Sequence, residues 1–201
     1  MKYFIFISYF LVCTTSSFSQ KKEIEEIRLY HSTLNQEYKD SITSPLSKED
    51  RSKFVAHQFY PIELSYRVVA NLIVTSDEKP FKMPTTKGID KDYIKYGELH
   101  FVLLGKKLKL NVYRSLVLMK KEEFKNHLFL PFKDYTNSKE TYGGGRFIDL
   151  EIPNAKAMVV DFNKAYNPYC AYSDKYACPI TPIENALPIE VKAGIKGPIE
   201  H

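Results

Sequence analysis

The residues best suited to chemistry stand in two nearby stretches. Glu140, Tyr142 and Arg146 lie just before or within one expected strand, while Asp161, Asn163, Tyr166, Asn167, Tyr172 and Asn185 lie in or beside the loop expected after the next strand. Arginine offers a planar fork that grips carboxylate or phosphate in a bidentate way, and tyrosine offers a flat apolar face with a hydrogen-bonding rim. Together they suit a concave site for a small anionic or sugar-like ligand. If residues 146–152 and 157–162 pair as a hairpin across Pro153-Asn154, Arg146 and Asp161 fall near the same end of it. Such a pair could equally anchor the loop through charge-assisted hydrogen bonds. For hydrolysis without a metal, acid–base pairs such as Glu140 with Asp134, or Asp161 with Tyr166, have suitable groups, and no spacing singles out one of them. Histidine is absent from this dense region, which removes the commonest general base.

The segment carrying most of these residues, 161–188, holds four tyrosines, three asparagines, four prolines and two cysteines. Proline is costly inside a strand, so this is an ordered loop, held down by its aromatic rings. Cys170 and Cys178 enclose seven residues and allow three readings. A structural bridge would stabilise by about 2–3 kcal/mol on loop-closure grounds. Two unpaired buried thiols are the second reading, and a metal or redox role is the third. The spacing is too long for a zinc knuckle and is not Cys-x-x-Cys, so no metal is expected. Nor is there a Gly-x-Ser-x-Gly elbow, a Walker loop, a His-Glu-x-x-His helix or a dinucleotide glycine fingerprint, and no cofactor is expected either. Gly143-Gly144-Gly145 precedes a strand and reads as a bend.

These residues must be positioned by a single domain of residues 20–201, which is long enough to bury a sizeable core. Before it, Lys2, the apolar run to Val12 and the small polar residues to Ser19 read as a signal peptide. Cleavage near Ser19 would send the chain to the periplasm or the exterior and remove Cys13, leaving an even cysteine count in an oxidising compartment. The apolar run is too short for stable membrane insertion. A net charge of +5, spread along the chain, gives no nucleic-acid footprint.

Ile24, Ile27, Tyr30, Leu34 and Tyr38 recur at helical spacing and predict one peripheral amphipathic helix, and Ser47 is placed to cap a short second one. From residue 63 onward the texture is β, with strands expected at 64–74, 80–86, 93–104, 107–113, 115–120, 128–132, 146–152, 157–162 and 187–193. The clearest hairpin turns at Gly105-Lys106, with Leu108, Leu110 and Val112 alternating against polar neighbours. The expected fold is mainly β, an antiparallel barrel or sandwich of about eight or nine strands with one N-terminal helix outside it.

Asp161-Phe162-Asn163, Ala165 through Tyr172 (Ala-Tyr-Asn-Pro-Tyr-Cys-Ala-Tyr), Tyr176, Cys178-Pro179, Pro182 and Glu184-Asn185 resemble the signature of the domain-of-unknown-function family 1684. Glu140-Thr141-Tyr142-Gly143, Gly145 through Leu150, and Val191-Lys192-Ala193-Gly194-Ile195-Lys196 resemble that family as well. At Ile195 the chain departs from the acidic residue usual there. The resemblance implies a family and no assigned activity. The function expected is therefore binding of a small polar or anionic ligand around Arg146 and the tyrosine loop, with a metal-independent hydrolase or a purely structural module as the alternatives.

Overall fold

The computed structural model describes residues 3–198, with side chains from Phe18 onward. The signal-peptide reading falls on residues 1–19, so Lys2 and most of the side chains it rests on lie outside the described residues. Helix α1 spans Tyr3–Lys39 and α2 spans Lys48–Lys53. Ser47 caps α2 as its type and position demand, its hydroxyl accepting from Asp50 N–H at 3.0 Å. Seven strands follow: β1 Arg67–Val74, β2 Phe81–Met83, β3 Lys91–Leu103, β4 Lys106–Ser115, β5 His127–Phe132, β6 Arg146–Glu151 and β7 Ala157–Asp161.

The strands form one curled antiparallel sheet in the order β6-β5-β4-β3-β1-β7, with β2 also on β3. It is a half-barrel. Its two edge strands share no ladder among the described residues, and the chain just beyond β7 returns to β6, where Phe147 and Tyr166 exchange two backbone hydrogen bonds of 2.9 Å. Seven strands replace the eight or nine expected because two expected segments never join a ladder. Residues 115–120 close into a short 3₁₀ turn at Leu118–Lys120. Residues 187–193 keep a strand's alternation, burying Leu187, Ile189, Val191 and Ala193, but run across the mouth of the half-barrel outside the sheet. Alternation reports which face is buried, and says nothing of whether the backbone finds a neighbouring strand.

The hairpin of β3 and β4 is the one expected, and its turn sits one residue earlier, at Leu104-Gly105, both with positive φ (49° and 76°). Two left-handed residues match the twist of the flanking strands, and glycine takes the second position without strain. The inner face of the sheet holds Val68, Ala70, Leu72, Leu99, Phe101, Leu103, Leu110, Val112, Leu128, Leu130, Phe132 and Val160. Strand β5 is buried on both faces, because Phe129 points outward into a second cluster with Met83, Tyr93, Tyr113 and Phe147. An outer face this apolar needs a cover. The tyrosine loop and α1 supply it.

The predicted face of α1 is the buried one: Ile27, Leu34 and Tyr38 are covered, and Leu34 and Tyr38 pack with Ile195, Leu46, Phe54, Phe59, Tyr166 and Tyr172. In this layer His57 sits among the rings of Tyr38, Phe54 and Tyr172, at centroid distances of 4.2, 4.9 and 5.5 Å. Its Nε2 is buried with no partner, so burial holds the imidazole pKa down at about 4. Above about pH 6.5 both the folded and unfolded forms are neutral at this site and it adds no pH dependence. As pH falls from there to about 4 the unfolded chain takes up the proton first, so stability falls over that window. Urea unfolding at pH 5 and pH 7.5 should show this loss, and His57→Gln should flatten it. Equal pH slopes in the two proteins would show that His57 is not its source.

Candidate functional site

The sequence-predicted site residues do not converge. Arg146 shares its strand face with Ile148, and both point into the half-barrel while Phe147 and Asp149 point out, so the guanidinium is fully buried. There its Nη2 donates to Asp134 Oδ2 at 2.8 Å and to Val191 O at 2.8 Å, and its Nη1 donates to Ala193 O at 2.5 Å and Ile195 O at 3.2 Å. Arg146 thus stitches the last extended segment onto the sheet. The expected hairpin of β6 with β7 is replaced by pairing of β6 with β5 and β7 with β1, which leaves β6 and β7 as the two edges. Asp161 accordingly accepts from Arg67 Nη1 at 2.7 Å, not from Arg146.

The side-chain amides of the loop asparagines donate mainly to backbone carbonyls, with Asn163 also reaching Asp161 Oδ1 at 2.8 Å and Asn167 Oδ1 left buried without a partner. Asn163 Nδ2 donates to Glu63 O and its Oδ1 accepts from Glu63 N–H, at 3.0 and 3.1 Å. Asn167 Nδ2 reaches Tyr172 Oη at 2.9 Å and Lys196 O at 2.8 Å. Asn185 Nδ2 donates to Asn111 O and Pro131 O, while its Oδ1 accepts from Asn111 N–H. Each takes the place of a missing ladder bond in an irregular segment. The acid–base pairs considered above are not assembled: Asp134 serves Arg146, Glu140 faces Lys192, Asp161 holds Arg67, and Tyr166 donates elsewhere.

Cys170 and Cys178 are free thiols packed against each other, with Cys170 N–H donating to Cys178 Sγ at 3.2 Å. Tyr142 Oη stands 3.9 Å from Cys170 Sγ, and burial pushes the Tyr142 hydroxyl pKa up to about 12.

Glu140 and Tyr142 line one recess of the surface, and the one with the most aromatic lining lies on the other side of β6. A cleft of about 600 Å³ opens between α1, the outer sheet face and the tyrosine loop. Its floor is the outer cluster, where Phe129 meets Phe147 edge to face at 4.7 Å and Tyr93 at 5.7 Å. Tyr30 of α1 forms one wall and Tyr169 with Tyr176, 5.1 Å apart, another. Burial raises the hydroxyl pKa of Tyr30, and that of Tyr93 to about 12, so these rims are neutral donors near neutral pH. Into this aromatic setting projects Asp149. Its Oδ2 accepts from Tyr166 Oη and its Oδ1 pairs with His127 Nε2, both at 2.8 Å, and half of its side chain remains exposed. A carboxylate has about four lone-pair sites, so roughly two remain for a ligand.

Of the ligand-binding residues singled out from sequence, Tyr166 alone lines this cleft, and Cys178 of the expected bridge lines it as well. Tyr30, Tyr93, His127, Asp149, Tyr169 and Tyr176 were not among them. The strand parity at Phe147 and Asp149, opposite to Ile148, is the signal that marks the outer face. Among the described residues no three His, Cys, Asp or Glu side chains converge as a metal site. No described helix is long and apolar enough to cross a membrane.

A search of curated proteins gives no match. Among solved structures the chain is similar to the solution NMR structure of an uncharacterized protein of Haloarcula marismortui, with 28% identity and a TM-score of 0.70, covering 91% of this chain and 98% of that one. The model of a family described as "Protein of unknown function (DUF1684)" matches residues 52–196, from just inside α2 through β7 and the tyrosine loop to the Ala-Gly-x-Lys close. That span holds the whole sheet, and the chain belongs to this family.

Proposed function

We propose that the chain is a binding domain for a small polar ligand with a flat face, of which a sugar ring is the best-fitting class, held in the cleft between α1 and the tyrosine loop. The observation that carries this reading is a half-exposed carboxylate, Asp149, fixed by two hydrogen bonds among aromatic rings in a cleft large enough for a small molecule. Aromatic faces take the C–H side of a sugar ring, and the free lone pairs of Asp149 take hydroxyl protons. The anionic part of the sequence expectation loses its support, since the guanidinium meant for it is paired inside the sheet.

Calorimetric titration with a panel of mono- and disaccharides should give at least one binder. Asp149→Asn should weaken it by about tenfold, the size of one charge-assisted hydrogen bond. Tyr169→Ala should weaken it as well by removing an exposed stacking surface. A binder whose affinity neither substitution changes would place the site elsewhere.

The contact of His127 with Asp149 favours a second reading, acid–base hydrolysis of the same ligand. Against it, His127 Nε2 is engaged by the carboxylate and Nδ1 is buried without a partner, which leaves no ring nitrogen facing a substrate. Turnover of a bound saccharide that Asp149→Asn abolishes without loss of affinity would favour the hydrolase.

A further inference from the structure

The two thiols of the tyrosine loop meet without being needed to hold it. On the Cys178 side, Thr86 N–H donates to Cys178 O at 3.0 Å, Cys178 N–H to Thr86 Oγ1 at 3.2 Å, and Ile180 N–H to Pro84 O at 2.9 Å. Lys91 Nζ adds a bond of 2.7 Å to Ala177 O. On the Cys170 side the loop is anchored by the backbone exchange of Tyr166 with Phe147 and by the buried amide of Asn167. Between them, Tyr172 and Ser173 N–H both donate to Tyr169 O at 3.0 Å. Both arms and the turn are thus fixed by bonds that involve neither sulfur. A bridge whose loss unfolds nothing is free to open and close.

The pair is also asymmetric in the manner exchange chemistry requires. Cys170 is partly exposed and Cys178 is buried. The contact with Cys178 and the Tyr142 hydroxyl beside it hold the Cys170 thiol below the usual thiol range, at about 6, while the same contact and burial push Cys178 up.

We propose that Cys170 and Cys178 are a reversible dithiol–disulfide pair that exchanges with small-molecule disulfides, with Cys170 as the attacking thiol and Cys178 as the resolving one. The Cys170 thiolate attacks one sulfur of the incoming disulfide, forming a mixed disulfide and expelling one thiolate. Cys178 then gives up its proton and attacks the Cys170 sulfur, forming the internal bridge and expelling the second thiolate. The two protein thiol protons end on the two released small thiols, so two protein thiols are oxidised and one disulfide is reduced. This inference does not rest on the ligand reading, although Cys178 also lines that cleft, and it departs from the structural bridge expected from sequence by giving the pair an exchange role.

Oxidised glutathione is the probe. The folded full chain is incubated with it at pH 7, quenched by alkylation and mapped by peptide mass, which separates the pair from Cys13. The wild type should become two hydrogen atoms lighter on the peptides of Cys170 and Cys178 and return to the dithiol in reduced glutathione. Cys178→Ser should trap a glutathione adduct on Cys170, while in Cys170→Ser the adduct on Cys178 should form at least about tenfold more slowly, because Cys178 is buried where Cys170 is partly exposed. Stable glutathione adducts on the wild type with no internal bridge would overturn the proposal. So would equal rates in the two variants, or a bridge that reduced glutathione does not reopen. Thermal melting of Cys178→Ser should stay close to wild type, and a collapse of the fold would overturn the premise that the loop stands without the bridge.

Discussion

Arg146→Ala is expected to lower the unfolding free energy by about 3–5 kcal/mol, the largest effect of any single substitution outside the apolar core, because it leaves Asp134 buried and uncompensated. Both side chains are fully buried, so water cannot take over the partner's role without opening the structure. Three carbonyls, Val191, Ala193 and Ile195, lose their donors at the same time, although the segment crossing the mouth of the half-barrel keeps its backbone bonds to Lys133, Tyr135, Tyr60 and Ala165. The guanidinium also lies over the ring of Phe132, its carbon 5.2 Å from the centroid, and that contact goes with it. Asp134→Leu combined with Arg146→Met should recover part of the loss, since a buried pair is dear to break singly and far less dear to replace as a unit. Urea midpoints of the two singles and the double decide it. Additive losses would show that the two charges do not act as a pair.

Asn185→Ala should cost about 3 kcal/mol, an amount no ordinary loop residue commands. Strands β4 and β5 pair in register at Tyr113 and Phe129, and toward Asn111 and Pro131 their ladder is open. Into that gap Asn185 places one amide that reads as a fragment of strand, accepting from Asn111 N–H at 2.9 Å and donating to Asn111 O at 2.9 Å and Pro131 O at 2.6 Å. Alanine leaves three buried backbone groups without partners, each a penalty of about 1–3 kcal/mol before relaxation. Asn185→Asp should be no better, because its carboxylate faces two carbonyl oxygens it cannot donate to. Hydrogen exchange provides a local check. The Asn111 amide should lose protection in Asn185→Ala by more than the global loss of stability accounts for, and unchanged protection would mean that the wedge is not what closes the seam.

The legible parts of this chain were those fixed by local rules. Prolines at 168, 179, 182 and 188 kept the tyrosine segment out of the sheet, Ile27, Leu34 and Tyr38 marked the packing face of α1, and the alternation from Leu108 to Val112 gave a strand with its inner face. What failed depended on distant partners. The strands holding Arg146 and Val160 are close in sequence, yet each found a different neighbour and they became opposite edges of the sheet. Arg146 was read by its chemistry, although its parity with Ile148 already pointed it inward. Asp149, one residue beyond Ile148, faces the cleft by the same parity. It was passed over because the other walls come from α1 and from the loop, elements more than a hundred residues apart.

The central claim is that ligand is taken on the outer face of the sheet, at Asp149 and the rings around it, and that Arg146 is interior framework. Amide chemical-shift mapping of the folded protein during titration with the saccharide panel tests this most directly. Perturbations should gather at Tyr30, Tyr93, Asp149 and Tyr169, leave Asp134 and Arg146 unmoved, and need about tenfold more ligand in Asp149→Asn. Shifts centred on Asp134, Arg146 and Val191, or a panel that perturbs nothing, would contradict it.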